Sequence, residues 1–165
     1  MKKPGLVRID LDQPIVELVK KTDHRTLGIW AADCTERVLH YFEEKYPKDH
    51  RPRQAIETLR KWIKDGKFKM AAIRKSSLSA HAAARSVKAA NIVACSAARS
   101  AGQAVATTHV PSHALGAAVY AATAVRDATS IDKAIKERDW QYQRLLKLNK
   151  QFGSIHSAKQ KLWRG

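Results

Sequence analysis

Apolar residues recur every three or four positions along most of the chain, a spacing that places them on one face of an α-helix. The longest stripe covers 27–42 and ends before Pro47, which cannot continue a helix. Similar stripes cover 12–21 and 49–66, and the second of these ends at a glycine. Alternation typical of a strand is confined to 6–10, which is too short for a sheet.

Alanine dominates the middle of the chain, with eighteen alanines between Ala80 and Ala124. Alanine is the best helix former, and its small side chain lets neighbouring helices approach closely. This segment predicts two central helices that break near 88–91, followed by a helix over 112–127. A last helix is expected to begin at Ser130. Its imperfect apolar stripe comprises Ile131, Ala134, Ile135, Trp140, Leu145 and Leu148.

Together these patterns predict an all-α fold, a compact multi-helix bundle of about six or seven helices with central alanine-rich helices. A chain of 165 residues can bury enough surface for a single stable domain. We expect this helical domain to span 1–150 and the remaining 151–165 to form a loosely docked or frayed C-terminal tail.

The chain carries 31 Lys and Arg against 15 Asp and Glu, a net charge of +16. The excess is concentrated in 66–126, which holds eight basic residues and no Asp or Glu. Such a charge favours an acidic partner, whether nucleic acid, an acidic protein or an anionic lipid surface. It fits equally well a surface whose lysines keep a small protein in solution.

Neither a signal peptide nor a membrane span is expected. The basic N-terminus is not followed by an apolar stretch, and the alanine-rich segment contains Arg85, Lys88 and Arg99. Cys34 and Cys95 lie in apolar helical stretches without the spacing of a zinc site, so buried, reduced thiols are predicted. These features favour a cytoplasmic protein with no cofactor and no membrane partner.

His109 and His113 flank Pro111, an arrangement that fits either a metal site or a helix boundary. Proline disfavours helical geometry at the preceding residue, so a helix is expected to begin near 109–112. A metal site would also need a carboxylate or thiolate, and the surrounding segment has no acid. We therefore predict that both histidines are hydrogen-bonded and hold no metal.

His81 and Arg85, four residues apart, fit either a polar cluster that sets helix register or a catalytic pair. Asp33 and Glu36 are spaced as paired carboxylates, although such pairs are mostly solvated or salt-bridged. The sequence has no phosphate-binding glycine loop and no nucleophile elbow. It therefore predicts no enzymatic activity.

Four motifs are more specific than alanine richness. They are Asp-x-x-Glu-Arg at 33–37, Asp-x-Arg-Pro-Arg at 49–53, Ala-His-Ala-Ala-Ala-Arg at 80–85 and Thr-His-Val at 108–110. Through them the chain, over about 27–146, resembles the small all-helical immunity proteins of bacteria and archaea that are associated with polymorphic toxins. The candidate binding or structural residues are Asp33, Glu36, Arg37, Asp49, Arg51, Arg53, Glu57, His81, Arg85, Arg99, His109 and His113.

The resemblance implies a non-enzymatic protein that binds and silences a partner toxin, and it implies no catalytic residue. An inhibitor that competes with nucleic acid for the basic site of a nuclease would be acidic. The net charge of +16 therefore points to an acidic toxin as the protein partner. The alternative function is that of a basic, helical protein associated with nucleic acid.

Arg85 and Arg99 lie among alanines, and burying an unpaired charge is costly. Because 66–126 contains no acid, their partners would have to come from other helices. We predict that at least one of these arginines forms a close ion pair with an acid of the N-terminal helices. The expected partners are Asp33, Glu36 and Glu57, with Glu137 and Asp139 as further candidates.

Overall fold

A computed structural model describes residues 5–162 of the chain, with side chains as far as Gly153. These residues form seven α-helices and no strand, which confirms the all-α prediction. The helices are α1 (Asp12–Lys20), α2 (His24–Glu43), α3 (Arg51–Asp65), α4 (Met70–Val87), α5 (Ile92–Ala106), α6 (His113–Ala128) and α7 (Ile131–Leu162).

Local contacts set three of the helix ends. The Asp23 side chain caps α2 by accepting from the Thr26 N–H at 3.0 Å. Asn91 lies in the expected break and caps α5 by accepting from the Ala94 N–H at 2.9 Å. Gly66 ends α3 with a φ of 67°, a left-handed conformation that favours glycine.

The helices pack as two layers. α2, α3 and α7 form the first layer, with α1 resting on α7, and α4, α5 and α6 form the second. α2 and α5 face each other at the centre, where the Thr35 hydroxyl donates to the Ser100 hydroxyl at 2.8 Å. Ser100 in turn donates to the Ala117 carbonyl of α6 at 2.8 Å, so one polar chain joins three helices across the core.

Large apolar side chains of the first layer pack against small ones of the second. Trp30, Phe42, Ile56 and Leu59 are fully buried and belong to the same core as the buried alanines of α4, α5 and α6. The Trp30 Nε1–H donates to the backbone carbonyl of Gln141 at 2.8 Å. The alanine-rich helices can therefore lie close together while the first layer supplies the bulk of the core.

A buried polar network joins α1 and α7 to α6. Arg138 is 1% exposed, and its Nε and Nη2 lie 3.1 and 2.6 Å from Oδ1 of Asp12. Its Nη1 donates to Oε1 of Gln141 at 2.8 Å, and Gln141 Nε2 donates to the Ala118 carbonyl at 2.9 Å. Each bond needs its partner at one position, so the network sets the register of α7.

The start of α7 differs from the predicted stripe. Ile131 and Ile135 are exposed, because the buried side of the helix runs through Ala134, Arg138 and Gln141 and on to the leucines. The helix continues to Leu162. The predicted tail at 151–165 falls largely on positions whose side chains lie outside the described residues.

In the part of the chain that the structure describes, none of the helices combines the length and the apolar character needed to cross a bilayer.

Candidate functional site

The outer side of the first layer carries oppositely charged residues in close pairs. Asp33, Glu36 and Arg37 project from the side of α2 opposite its buried stripe, as the helical spacing predicts. Their partners lie on the neighbouring helices α3 and α7. We call this surface the paired face. It comprises Asp33, Glu36, Arg37, Glu43, Arg53, Arg60, Glu137, Trp140, Arg144 and Lys147.

Arg53 joins α3 to α2 through two carboxylates. Its Nε and Nη2 donate to Glu43 at 2.7 and 3.0 Å, and its Nη1 donates to both oxygens of Glu36 at 2.8 and 2.9 Å. The hydrogen bonds from Arg53 lower the pKa of Glu43. Arg60 adds a longer contact of 3.4 Å with Glu36. The Asp-x-x-Glu-Arg and Asp-x-Arg-Pro-Arg motifs thus meet through Glu36 and Arg53.

Two further ion pairs join α2 to α7. Arg37 Nε lies 2.8 Å from Oε1 of Glu137, and its guanidinium carbon lies 3.9 Å from the centre of the Trp140 ring. Arg144 Nε lies 2.8 Å from Oδ2 of Asp33. All of these side chains except Glu137 border an open groove of about 460 Å³. Because its acids and arginines already pair with one another, we assign the paired face first to holding the helices of the first layer together.

The other two candidate acids, Asp49 and Glu57, make no ion pair with α2 or α7 in the part of the chain that the structure describes. Arg51 Nε and Nη2 pair with the two oxygens of Asp49 at 2.8 and 2.6 Å at the start of α3, and these bonds lower the pKa of Asp49. Glu57 is exposed on α3 and has no ion pair within the described residues. Neither acid reaches the second layer.

The outer side of the second layer carries basic residues without paired carboxylates. Helical spacing places Arg99 and Gln103 on the side of α5 turned away from α2. Residues of α4 and α6 flank them on either side. Asp127 borders this surface, and its carboxylate is held 2.8 Å from Nε of Arg126. We call this surface the cationic face. It comprises His81, Arg85, Lys88, Arg99, Gln103, His109, His113 and Tyr120.

The ion pairs predicted for Arg85 and Arg99 are wrong. Arg99 Nη1 lies 3.4 Å from the Tyr120 hydroxyl, and its guanidinium lies 5.7 Å from the centre of that ring. Arg85 is exposed, and within the described residues neither arginine contacts a carboxylate. The reason is the layering, because Asp33 and Glu36 lie on the far side of α2 and are held by arginines of α3 and α7.

Pro111 lies in the turn just before α6, as predicted, and His113 is the first residue of that helix. His113 Nδ1 donates to Oε1 of Gln103 at 2.7 Å, since an amide oxygen only accepts. His109 lies in the exposed turn, with its ring centre 5.6 Å from that of His113. Within the described residues its side chain makes no hydrogen bond. The hydrogen-bonding prediction is confirmed for His113 and wrong for His109, because the proline places His109 outside both helices.

His81 of α4 contacts the α5 backbone at Gly102. A Cβ atom at Gly102 would lie 2.7 Å from Nε2 of His81, so the ring fits only against glycine. Burial lowers the pKa of His81, and the nearby guanidinium groups of Arg99 and Arg85 lower it further. Burial and the neighbouring His109 likewise lower the pKa of His113. Near pH 7 the charge of the cationic face therefore comes from its arginines and Lys88, not from these two histidines.

Acidification is expected to destabilise the protein through these two histidines. Both have a folded-state pKa below the ordinary 6.5, so the unfolded chain takes up protons more readily as the pH falls. Their contribution is complete above about pH 6.5 and is lost as the pH falls below it. Urea unfolding between about pH 7.5 and 5.5 should show this slope, and the His81→Gln/His113→Gln variant should have a shallower one. Equal slopes would contradict the prediction.

Replacing Gly102 by alanine is expected to displace the His81 ring and to lower the free energy of unfolding by about 1–3 kcal/mol, the usual cost of overpacking. Urea unfolding and the NMR resonances of the His81 ring would measure both effects. Gly153→Ala is the matched control, because nothing lies within 4 Å of a Cβ atom there. If the Gly102 variant matched the control in stability and kept the His81 resonances, the close contact would not exist.

Among the described residues, no three His, Cys, Asp or Glu side chains come together as ligands for a metal ion. Cys34 and Cys95 are buried and free, and burial raises the pKa of the Cys34 thiol. A thiol of this kind is a poor nucleophile.

Several residues that complete the two faces could not be identified from the motifs. Glu43, Arg60 and Arg144 of the paired face carried no motif, because their partners come from other helices. Gln103 of the cationic face could have been predicted from the sequence, because it lies four positions after Arg99 and therefore on the same side of α5.

The chain matches a known protein family. Residues 17–148, which run from α1 into α7, match the family described as Imm-5 like putative immunity protein. No curated protein and no solved structure matches the chain. The family match spans the paired face and the cationic face, and it agrees with the resemblance carried by the four sequence motifs. The chain therefore belongs to the Imm-5 like putative immunity protein family.

Proposed function

We propose that this protein is a non-enzymatic immunity protein that binds a partner toxin and neutralises it. The observation that carries the proposal is the family match over 17–148, which covers nearly the whole folded part of the chain. An immunity protein acts by occupying a surface of its toxin, so it needs an interaction face and no reactive group. The cationic face, whose arginines lack acidic partners in the described structure, supports such a role.

We further propose that the toxin is acidic where it is bound and that the complex forms in the cytoplasm. The net charge of +16 favours association with a negatively charged protein surface. The two buried cysteines are free, which suits a reducing compartment.

The test expresses the product of each gene directly adjacent to this one, with and without this protein. One of these products should stop growth when expressed alone, and co-expression with this protein should restore it. The two purified proteins should then elute together from a sizing column. Failure both to restore growth and to form a complex would overturn the proposal.

A second candidate function, association with nucleic acid, is favoured by the concentration of unpaired cations on one side of the molecule. Binding to duplex DNA would then fall steeply as the salt concentration rises, because each neutralised phosphate releases counterions. Retention on immobilised duplex DNA across a salt series tests this, and no retention at low salt would exclude it.

A further inference from the structure

We propose that the cationic face is the surface that receives the toxin, and that it binds an acidic segment whose carboxylates pair with Arg85 and Arg99. This inference rests on the proposed immunity function and adds the docking surface and the chemistry of the partner. It starts from the different ways in which the two outer faces satisfy their charges.

The arginines of the paired face are already occupied. Arg53 binds two carboxylates and Arg37 binds Glu137, all at hydrogen-bonding distance. A partner that used these arginines would have to displace internal ion pairs that hold α3 and α7 against α2. The paired face is thus poorly suited to receive an external acid.

Arg99 is held in a position that suits it to bind a carboxylate from a partner. Its guanidinium is partly buried and held beside the Tyr120 ring, but this neutral contact leaves its positive charge unbalanced. A guanidinium fixed in position loses little freedom when it binds a carboxylate through two parallel hydrogen bonds. His81 of α4 lies against Gly102 of α5, the next helix along the chain. Arg85 lies one turn after His81, and Arg99 lies one turn before Gly102. The two arginines therefore occupy neighbouring positions on these antiparallel helices.

Apolar side chains beside these cations favour a protein over a nucleic acid. Leu78 is 59% exposed and shares a surface hollow with Arg85, and Ile92 is 41% exposed and shares another with Arg99. Exposed aliphatic groups next to arginines suit a protein interface, where apolar contact and bidentate pairing occur together. A phosphate backbone offers no apolar partner for these side chains. An acidic protein segment with interspersed apolar residues therefore fits the face.

The experiment uses the protein that the co-expression test identifies as the toxin and measures its binding by isothermal titration calorimetry. Wild-type protein is compared with Arg85→Glu, Arg99→Glu and Lys136→Glu. The last is the matched control, because Lys136 is exposed on α7 and undergoes the same change of charge. Each arginine variant is expected to weaken binding by about 30-fold or more, the usual result of removing one side of a close charge pair, while the control binds normally. Thermal unfolding of each variant establishes that it is folded.

The outcomes separate the two proposals. If wild-type protein does not bind the toxin, the immunity function fails and the docking surface fails with it. If wild-type protein binds the toxin and the arginine variants bind it equally well, the proposed docking surface is wrong and the immunity function stands. If the arginine variants lose binding to duplex DNA but keep binding to the toxin, the cationic face is a nucleic-acid surface and this inference is overturned.

Discussion

Replacing Asp12 by alanine is expected to lower the free energy of unfolding by about 3–5 kcal/mol, because it leaves a buried guanidinium without its anion. Arg138 is 1% exposed, and Asp12 Oδ1 accepts hydrogen bonds from its Nε and Nη2 at 3.1 and 2.6 Å. Asp12 Oδ2 also accepts from the Ile9 N–H at 3.0 Å, and this bond is lost as well.

Replacing Arg138, the other partner of this ion pair, should lower the free energy of unfolding by less. Arg138→Met takes the buried charge away, and Asp12, which is 32% exposed, can then be hydrated. The remaining cost, about 1–3 kcal/mol, comes from Gln141, whose buried Oε1 loses its donor. Urea unfolding measures both variants, and Asp10→Ala, at an exposed site without an ion pair in the described structure, should stay within about 0.5 kcal/mol of wild type. A larger loss for Arg138→Met than for Asp12→Ala would contradict this account.

Trp30→Ala is expected to destabilise the fold by a similar amount, about 3–5 kcal/mol. The indole is fully buried between the layers, so its removal leaves a cavity that neighbouring helices can fill only in part. The change also removes the hydrogen bond that its Nε1–H donates to the Gln141 carbonyl at 2.8 Å, which helps to join α2 to α7.

Thermal and urea unfolding would measure the effect of Trp30→Ala, and Ile135→Ala provides the comparison. Ile135 was predicted to share a buried stripe, yet it is 42% exposed, so its replacement should change the stability by no more than about 0.5 kcal/mol. Equal losses in the two variants would mean that Trp30 does not anchor the core as the structure indicates.

The positions of the helices could be predicted well because the signals that set them are local. Pro47 and Pro111 lie in turns between helices. Gly66 takes the left-handed conformation that ends α3, and Asn91 caps α5 within the predicted break. Each effect depends on residues only a few positions apart. The buried side of α2 could be predicted in the same way, because the periodic apolar residues lie on one side of the helix and Asp33 and Glu36 lie on the outer side.

The pairing of charges could not be predicted in the same way. Arg85 and Arg99 were assigned to the acids of the N-terminal helices on the argument that a buried charge needs a partner. In the structure neither arginine needs an internal carboxylate, because Arg85 is exposed and Arg99 contacts Tyr120. The acids in turn pair with arginines of α3 and α7, which adjoin α2 only after the layers assemble.

By itself, the sequence determined the all-α class, the approximate positions of the helices and a stretch from 66 to 126 without any acid. Local propensity, capping and composition are properties of neighbouring residues, so they can be read without a fold. Only the tertiary structure decided that this acid-free stretch forms one layer with its cations on an open side, while the acids of α2 face the other way. Helix packing brings together residues far apart in the chain, and the position of each charge relative to the core then decides whether it is paired or left for a partner.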